Sequence, residues 1–298
     1  MDLPQYDGAA SFARAAVFAR PWRPAMLSSS ATTDGYRLRQ RFDRPAKTGM
    51  LTAALAPGVA GRFDWSQALL VNLDFGGLSS ASRIAVLNGQ NRLAVQAANG
   101  VWEVIGFLEA EEVAAGQWRL SGLLRGLHGT GDAMAAGSGT GAVAVVLDEA
   151  VKSIGLGADE TGRLLNFIVE AAGETAVGPF AFSGGIRAAT PVAPVHLTAE
   201  RLTGGDIRLS WIRCARRDAD HWLDGDIALD EAEERYRIDI LDGETVKRAS
   251  ESPTTSFIYT AADETTDFGG PLSTISIRVR QLGAKVGLGV PARAVLAL

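Results

Sequence analysis

Between residues 83 and 147 short apolar runs alternate with turn residues. Arg83-Ile-Ala-Val-Leu precedes Asn88-Gly89, Arg92-Leu-Ala-Val-Gln precedes Asn99-Gly100, and Val101-Trp-Glu-Val-Ile-Gly-Phe107 follows. Asn-Gly between β-rich runs predicts tight hairpins, because a type I′ turn needs positive φ at both central positions. Gln117-Trp-Arg-Leu-Ser-Gly-Leu-Leu124 and Gly141 to Leu147 extend the series. Strands spaced about 8–15 residues apart predict a β-barrel or sandwich. The helical windows are short: Ala9 to Phe18, Trp65 to Val71 and Ala228 to Glu234.

Pro179-Phe-Ala-Phe-Ser-Gly-Gly-Ile-Arg-Ala-Ala-Thr-Pro191-Val-Ala-Pro194 interrupts the pattern. Proline lacks the amide donor and disfavours continued pairing. This places a domain boundary near residue 190, dividing residues 1–190 from 191–298. Seven short strands then follow, with Ile207, Leu209 and Trp211 alternating on one and Tyr236, Ile238 and Ile240 on another. Period two puts one face in a core and the other in water. The fold class expected is mainly β: a barrel- or sandwich-like domain with short helices, then a second sandwich.

Composition narrows the chemistry. Lys+Arg number 29 against 34 Asp+Glu, a net charge of −5, so a phosphate-tracking face and a nucleic-acid partner are not expected. The 34 glycines exceed ordinary usage and match a turn-rich β protein. One cysteine, Cys214, excludes an internal disulfide and cysteine-rich metal sites. The start, with Asp2 and Asp7, is not a secretory signal, and no apolar run approaches the ~20 residues that span a bilayer.

Each motif with chemical potential has a plainer reading. Gly137-Ser-Gly-Thr-Gly141 runs into a strand rather than a helix, so it reads as a turn and not a phosphate loop. His128, His196 and His221 are isolated, and Asp218 to Asp226 lacks the order of a calcium loop. Glu109, Glu111 and Glu112 are neighbours on one segment, whereas glycosidase acids face each other across a groove. Trp102, Trp118 and Trp211 sit in strand patterns. Trp22 and Trp222 fall on loops and are the candidate surface contacts. Arg125, in Leu123-Leu-Arg-Gly126 with Gly129-Thr130, is a candidate junction: small neighbours admit close backbone approach while a guanidinium holds several carbonyls or a carboxylate. Catalytic residues, a cofactor and a metal are not expected.

The second half resembles a fibronectin type III module, with a Pro-x-x-Pro-like entry, Trp211 on an early strand, Tyr236 opening a middle strand and Gly283, Gly287 and Gly289 near the end. It departs from that pattern in the charged insertion Cys214 to Glu234, and in Ile275 or Ile277 where the sixth strand usually carries tyrosine. A wider resemblance rests on Arg92-Leu-Ala-Val-Gln, Asn99 to Phe107, Trp118-Arg-Leu-Ser-Gly-Leu-Leu-Arg-Gly-Leu-His-Gly-Thr130, Trp211 to Trp222, Asp267-Phe-Gly and Val279-Arg-Gln-Leu-Gly. These segments resemble the C-terminal part of the large tail-tip proteins of gene transfer agents and siphophages, the host-specificity or baseplate "megatron" proteins. The likeness runs from Leu3 to Leu298.

That resemblance implies a non-enzymatic structural part of a virion tail tip or baseplate, made in the host cytoplasm. It also implies other tail proteins as partners, three-fold or six-fold homo-oligomers, and a bacterial surface glycan as a further contact. The longer members' hub region and hydrolase-like barrel do not fit in this chain. A carbohydrate-binding receptor-recognition protein is the alternative, and a hydrolase whose acids meet only in the fold is a third.

Overall fold

The computed structural model describes residues 1–5, 13–216, 227 and 229–298. Trp222, His221, the acidic run Asp218 to Asp226, Ala228 and residues 9–12 of the first helical window lie outside the described residues. The chain is mainly β and divides into two units, Met1–Ala188 and Ala189–Leu298.

In chain order the first unit contains strands β1 (Arg14–Ala15), β2 (Ala25–Ser30), β3 (Arg37–Phe42), β4 (Thr48–Leu51) and β5 (Leu69–Leu73). Helix α1 (Arg83–Leu87) leads to β6 (Arg92–Gln96), β7 (Trp102–Ala114) and β8 (Gln117–Leu127). Helix α2 (Gly131–Ala136) precedes β9 (Val143–Val146), β10 (Lys152–Ser153), β11 (Leu165–Ala171), β12 (Val177–Phe182) and the single turn α3 (Ile186–Ala189).

Six of these strands close into a barrel in the order β4-β5-β8-β7-β6-β9, all antiparallel. Closure removes the open edges that a sheet otherwise presents. Its interior is filled by Leu51, Leu69, Val71, Leu93, Val95, Ile105, Phe107, Trp118, Leu120 and Leu123. Gly49 is obligatory in the wall, because a Cβ there would lie 2.2 Å from the Asn72 carbonyl oxygen. The strands flanking the barrel in sequence form a separate four-stranded sheet, β12-β11-β2-β3. The barrel is therefore inserted between the two halves of that sheet.

Several expectations for this unit need correction. Arg83 to Leu87 is helix, not strand: the Ser82 side chain accepts from the Ala85 amide, and Asn88 and Gly89 end the turn. Five apolar residues cannot by themselves distinguish the two periods, and the capping residues decide. Asn99-Gly100 does sit in a hairpin, but only Gly100 of the pair has positive φ, and Ala97–Gly100 is a turn closed by a 2.9 Å bond. Trp65 to Val71 runs into β5, Ala13 to Ala15 pairs as strand, and residues 229–234 hold no helix. Pro179 lies inside β12, tolerated because β12 is an edge strand, where a missing donor leaves no partner unmatched.

The second unit comprises β13 (Val195–Arg201), β14 (Ile207–Ile212), β15 (Tyr236–Asp242), β16 (Thr245–Ser252), β17 (Ser256–Tyr259), α4 (Ala261–Phe268), β18 (Thr274–Gly283), β19 (Gly287–Leu288) and β20 (Ala292–Ala297). The strands form two sheets, β13-β14-β17 and β16-β15-β18 with β19 and β20 along the far edge of β18. The shared core holds Ile207, Leu209, Trp211, Tyr236, Ile238, Ile240, Tyr259, Ile275, Ile277 and Val279. Trp211 and Tyr236 meet edge to face at 5.1 Å between ring centroids.

Where a tyrosine was missing from the sixth strand, α4 makes the corner. Thr260 caps it by accepting from the Asp263 amide, and Gly269 ends it in the left-handed region. Glu264, 2% exposed at its side chain, receives two bonds from Arg201 and one from the Leu272 amide. The guanidinium holds this carboxyl below its ordinary 4.5. An unfolded chain therefore takes up the proton first as pH falls, so the stability Glu264 contributes above pH 4.5 is lost below it. We expect the melting temperature of the wild type to fall more steeply in acid than that of Glu264→Gln. Equal acid slopes for the two proteins would contradict this.

Candidate structural junction and contact surfaces

Arg125 is fully buried, and the sequence reading missed its partner. Glu103 shares a strand face with Ile105 and Phe107, which line the barrel interior. Arg125 lies in the bulge where β8 shifts register against β7 and meets Glu103 through two bonds, Nε to Oε1 at 2.7 Å and Nη2 to Oε2 at 2.9 Å. Both side chains have 0% exposure. The carboxylate accepts a third bond from the Gly126 amide at 3.0 Å, and the remaining guanidinium nitrogen donates to the Ala56 carbonyl at 3.2 Å. A bidentate pair with its spare groups bonded meets the condition under which burying charge is tolerable.

The pair fastens the long β4–β5 loop to the barrel. Ala60 bridges Arg125, Asp64 and Leu123 exchange backbone bonds of 2.7 and 2.9 Å, and Leu55 exchanges bonds with Ser138. A side chain at Gly58 would approach the Arg125 guanidinium to 2.9 Å. Gly122 turns through positive φ, with Leu108 and Trp65 too close for a Cβ. Thr130, also fully buried, accepts from the Val104 amide and donates to the Leu127 carbonyl. The Leu-Leu-Arg-Gly…Gly-Thr element is thus the hinge of β8 into α2, held by side-chain bonds. Nothing in local periodicity could have found Glu103, because its distance from Arg125 in sequence is set by the hairpin register.

The other candidates fall apart from one another. Trp22 is half-buried against the core of the four-stranded sheet, so only part of its ring faces solvent. Trp118 and Trp211 are buried; Trp102 is half-buried. Glu109 accepts from Ser121, and Glu112 accepts from the Gly116 amide within the β7–β8 hairpin. Gly137 and Gly141 carry the turn from α2 to β9 with positive φ, and β9, not a helix, follows. His128 and His196 belong to different units.

Two depressions bear on catalytic chemistry. A crevice of about 310 Å³ between the barrel and the four-stranded sheet is lined by Trp102, Phe167, Phe180, Phe182 and other mainly apolar groups, with no carboxylate side chain among them. In the second unit Glu233, Glu234 and Glu251 line a hollow, but Glu251 is held by Arg235, and Glu234 by Arg213 and the Tyr236 hydroxyl. Among the described residues no group of His, Cys, Asp and Glu is arranged to hold a metal, and no helix is long and apolar enough to cross a membrane.

Residues 46–145 match the family described as Rcc01698-like, C-terminal. The matched stretch is about a third of the chain and coincides with the barrel, β4 to β9. The family name is one associated with gene transfer agents and points to a gene-transfer-agent-related protein. No curated protein matches the chain. Among solved structures, domains d3-d4 of rat CD45 align at 13% identity and a TM-score of 0.27, over 51% of this chain and 72% of that one. The FN5 domain of Drosophila Lar aligns at 18% and 0.22, over 36% and 95%. Chicken CNTN1 FN1-FN3 aligns at 10% and 0.26, over 83% and 65%. The sandwich assignment rests on the strand order described above.

Proposed function

We propose that this chain is a non-enzymatic structural component of a phage or gene transfer agent tail tip, scaffolding host-contacting elements in the baseplate. The observation that carries the reading is the family match falling on one closed barrel whose β4–β5 loop is locked by a buried ion pair. A closed barrel with a pinned loop keeps its shape under load, which a scaffold needs. Among the described acids, Glu109 and Glu112 are committed to hairpin bonds and Glu234 and Glu251 to arginines, which supports a role without bond breaking. Partners on this reading are other tail proteins, with copies of the chain arranged three-fold or six-fold about the tail axis, and the protein resides in the virion.

Gold-labelled antibodies against the chain, applied to purified particles, test this directly. Label concentrated at the tail tip is the expected result. Particles that carry no label, while the protein accumulates in the producing cell, would refute the reading.

A further inference from the structure

The outer face of the β16-β15-β18-β20 sheet carries more cations than its single central carboxylate can neutralise. Asp239 on β15 stands opposite Arg278 on β18, which stands opposite Arg293 on β20; Arg237 and Arg280 form the next cross-strand pair. Arg237 Nε donates to Asp239 Oδ1 at 2.8 Å, Arg278 Nε to Oδ2 at 2.8 Å, and Arg280 Nη1 to the same Oδ2 at 3.0 Å. The carboxylate is 2% exposed, whereas the side chains of Arg237, Arg278 and Arg280 are 38%, 14% and 18% exposed. Solvent therefore meets the guanidinium groups and not the anion that orients them.

The charge count is lopsided. Three arginines share one carboxylate, while the neighbouring cations are matched one to one: Arg293 by Glu244, Arg235 by Glu251, Lys247 by Asp242. Each guanidinium has five N–H donors, and only a few of the fifteen face Asp239. Burial and the charges of Arg278 and Arg293 make the protonated form of Arg280 harder to hold than usual. An incoming anion would relieve that repulsion.

We propose that this face is a binding site for an acidic polysaccharide, whose carboxylate or phosphate groups occupy the outward donors of Arg237, Arg278 and Arg280. Planar guanidinium forks suit such oxyanions, which they bind in pairs of parallel bonds. The face favours a glycan over a protein partner because it lacks an apolar centre. Beside the arginines stand Ala249, Ser276, Val295 and, opposite Arg237, the Glu251 that Arg235 holds, and protein interfaces are built around desolvated aromatic and aliphatic anchors. None of these neighbours is aromatic, so the face offers no platform on which a nucleic-acid base could stack. That the glycan belongs to a bacterial surface rests on the proposed function; the anion site itself does not.

The test uses the full chain and immobilised polygalacturonate, with dextran as the neutral polymer. Binding should appear on polygalacturonate alone and weaken with added salt. Arg280→Gln and Arg237→Gln should each weaken it at least about fivefold, roughly the loss of one charge-assisted hydrogen bond, and Arg280→Lys should recover part of the loss. Arg208→Gln changes charge equally on the exposed face of β14 in the other sheet, and should leave binding intact. Equal weakening by Arg208→Gln, or equal retention on dextran, would overturn the proposal. So would tighter binding to a single-stranded DNA oligonucleotide. Loss of polymer binding with antibody label still at the tail tip would reject this site and leave the structural role standing; the reverse pattern would reject the structural role alone.

Discussion

Replacing Arg125 with methionine is expected to destabilise the barrel unit by about 3–5 kcal/mol, because Glu103 is left without its partner in a site with no access to water. For a unit of this size each kcal/mol shifts the melting temperature by about 2–4 °C, so a drop of roughly 6–20 °C is anticipated. The Ala56 carbonyl loses its donor at the same time, so the β4–β5 loop should open before the remainder of the barrel. Pairing Arg125→Met with Glu103→Leu removes both charges, and most of the lost stability should return, since an apolar pair of similar volume often replaces a buried ion pair at little cost. Calorimetry on the wild type, the single variant and the double variant measures the coupling. A single variant that melts within about 2 °C of wild type would show that the pair does not hold the barrel closed.

Trp211→Ala is expected to be the most damaging change in the second unit. The indole is 4% exposed and lies against Tyr236 at the meeting of the two sheets. Truncating a buried tryptophan typically costs about 3–5 kcal/mol, from lost transfer energy and from the cavity left behind. The edge-to-face contact with Tyr236 adds about 0.5–1.5 kcal/mol to what is lost. Hydrogen exchange on the full chain should show amide protection falling in β14, β15 and β18, the strands that surround the ring. Unchanged protection in those strands would mean that the sandwich does not depend on this side chain.

The legibility of the fold differed between the two units for a physical reason. In the second unit the core strands turn one apolar face inward, so Ile207, Leu209 and Trp211, or Tyr236, Ile238 and Ile240, alternate cleanly and every expected strand is present. In the barrel, β6 and β7 are buried on both faces: Ile105 and Phe107 point inward, while Ala94 and Val104 pack outside against Leu3. Continuous apolar runs of that kind mark a strand without showing which side is the core. Outside that run the signal faded. β2, β3 and β4 carry Ser, Arg and Gly at positions where pairing rather than propensity decides, and β12 accommodates Pro179 only because it lies at an edge.

The candidate site divided along the same line. Arg125 stood out in the chain because an arginine framed by Leu123, Leu124 and Gly126 has no ordinary surface role. Its partner Glu103 was invisible, and so was the assembly of three arginines about Asp239, since both depend on which residues antiparallel registers bring face to face. Composition and periodicity alone determined that the chain is mainly β, and that its second half alternates as a sandwich must. Only the tertiary structure decided that residues 48–146 close on themselves, and which charges end up buried in pairs or gathered on an open face. Alternation is a property of neighbours along one strand and survives in the sequence; pairing is a property of strands far apart, and nothing local records it.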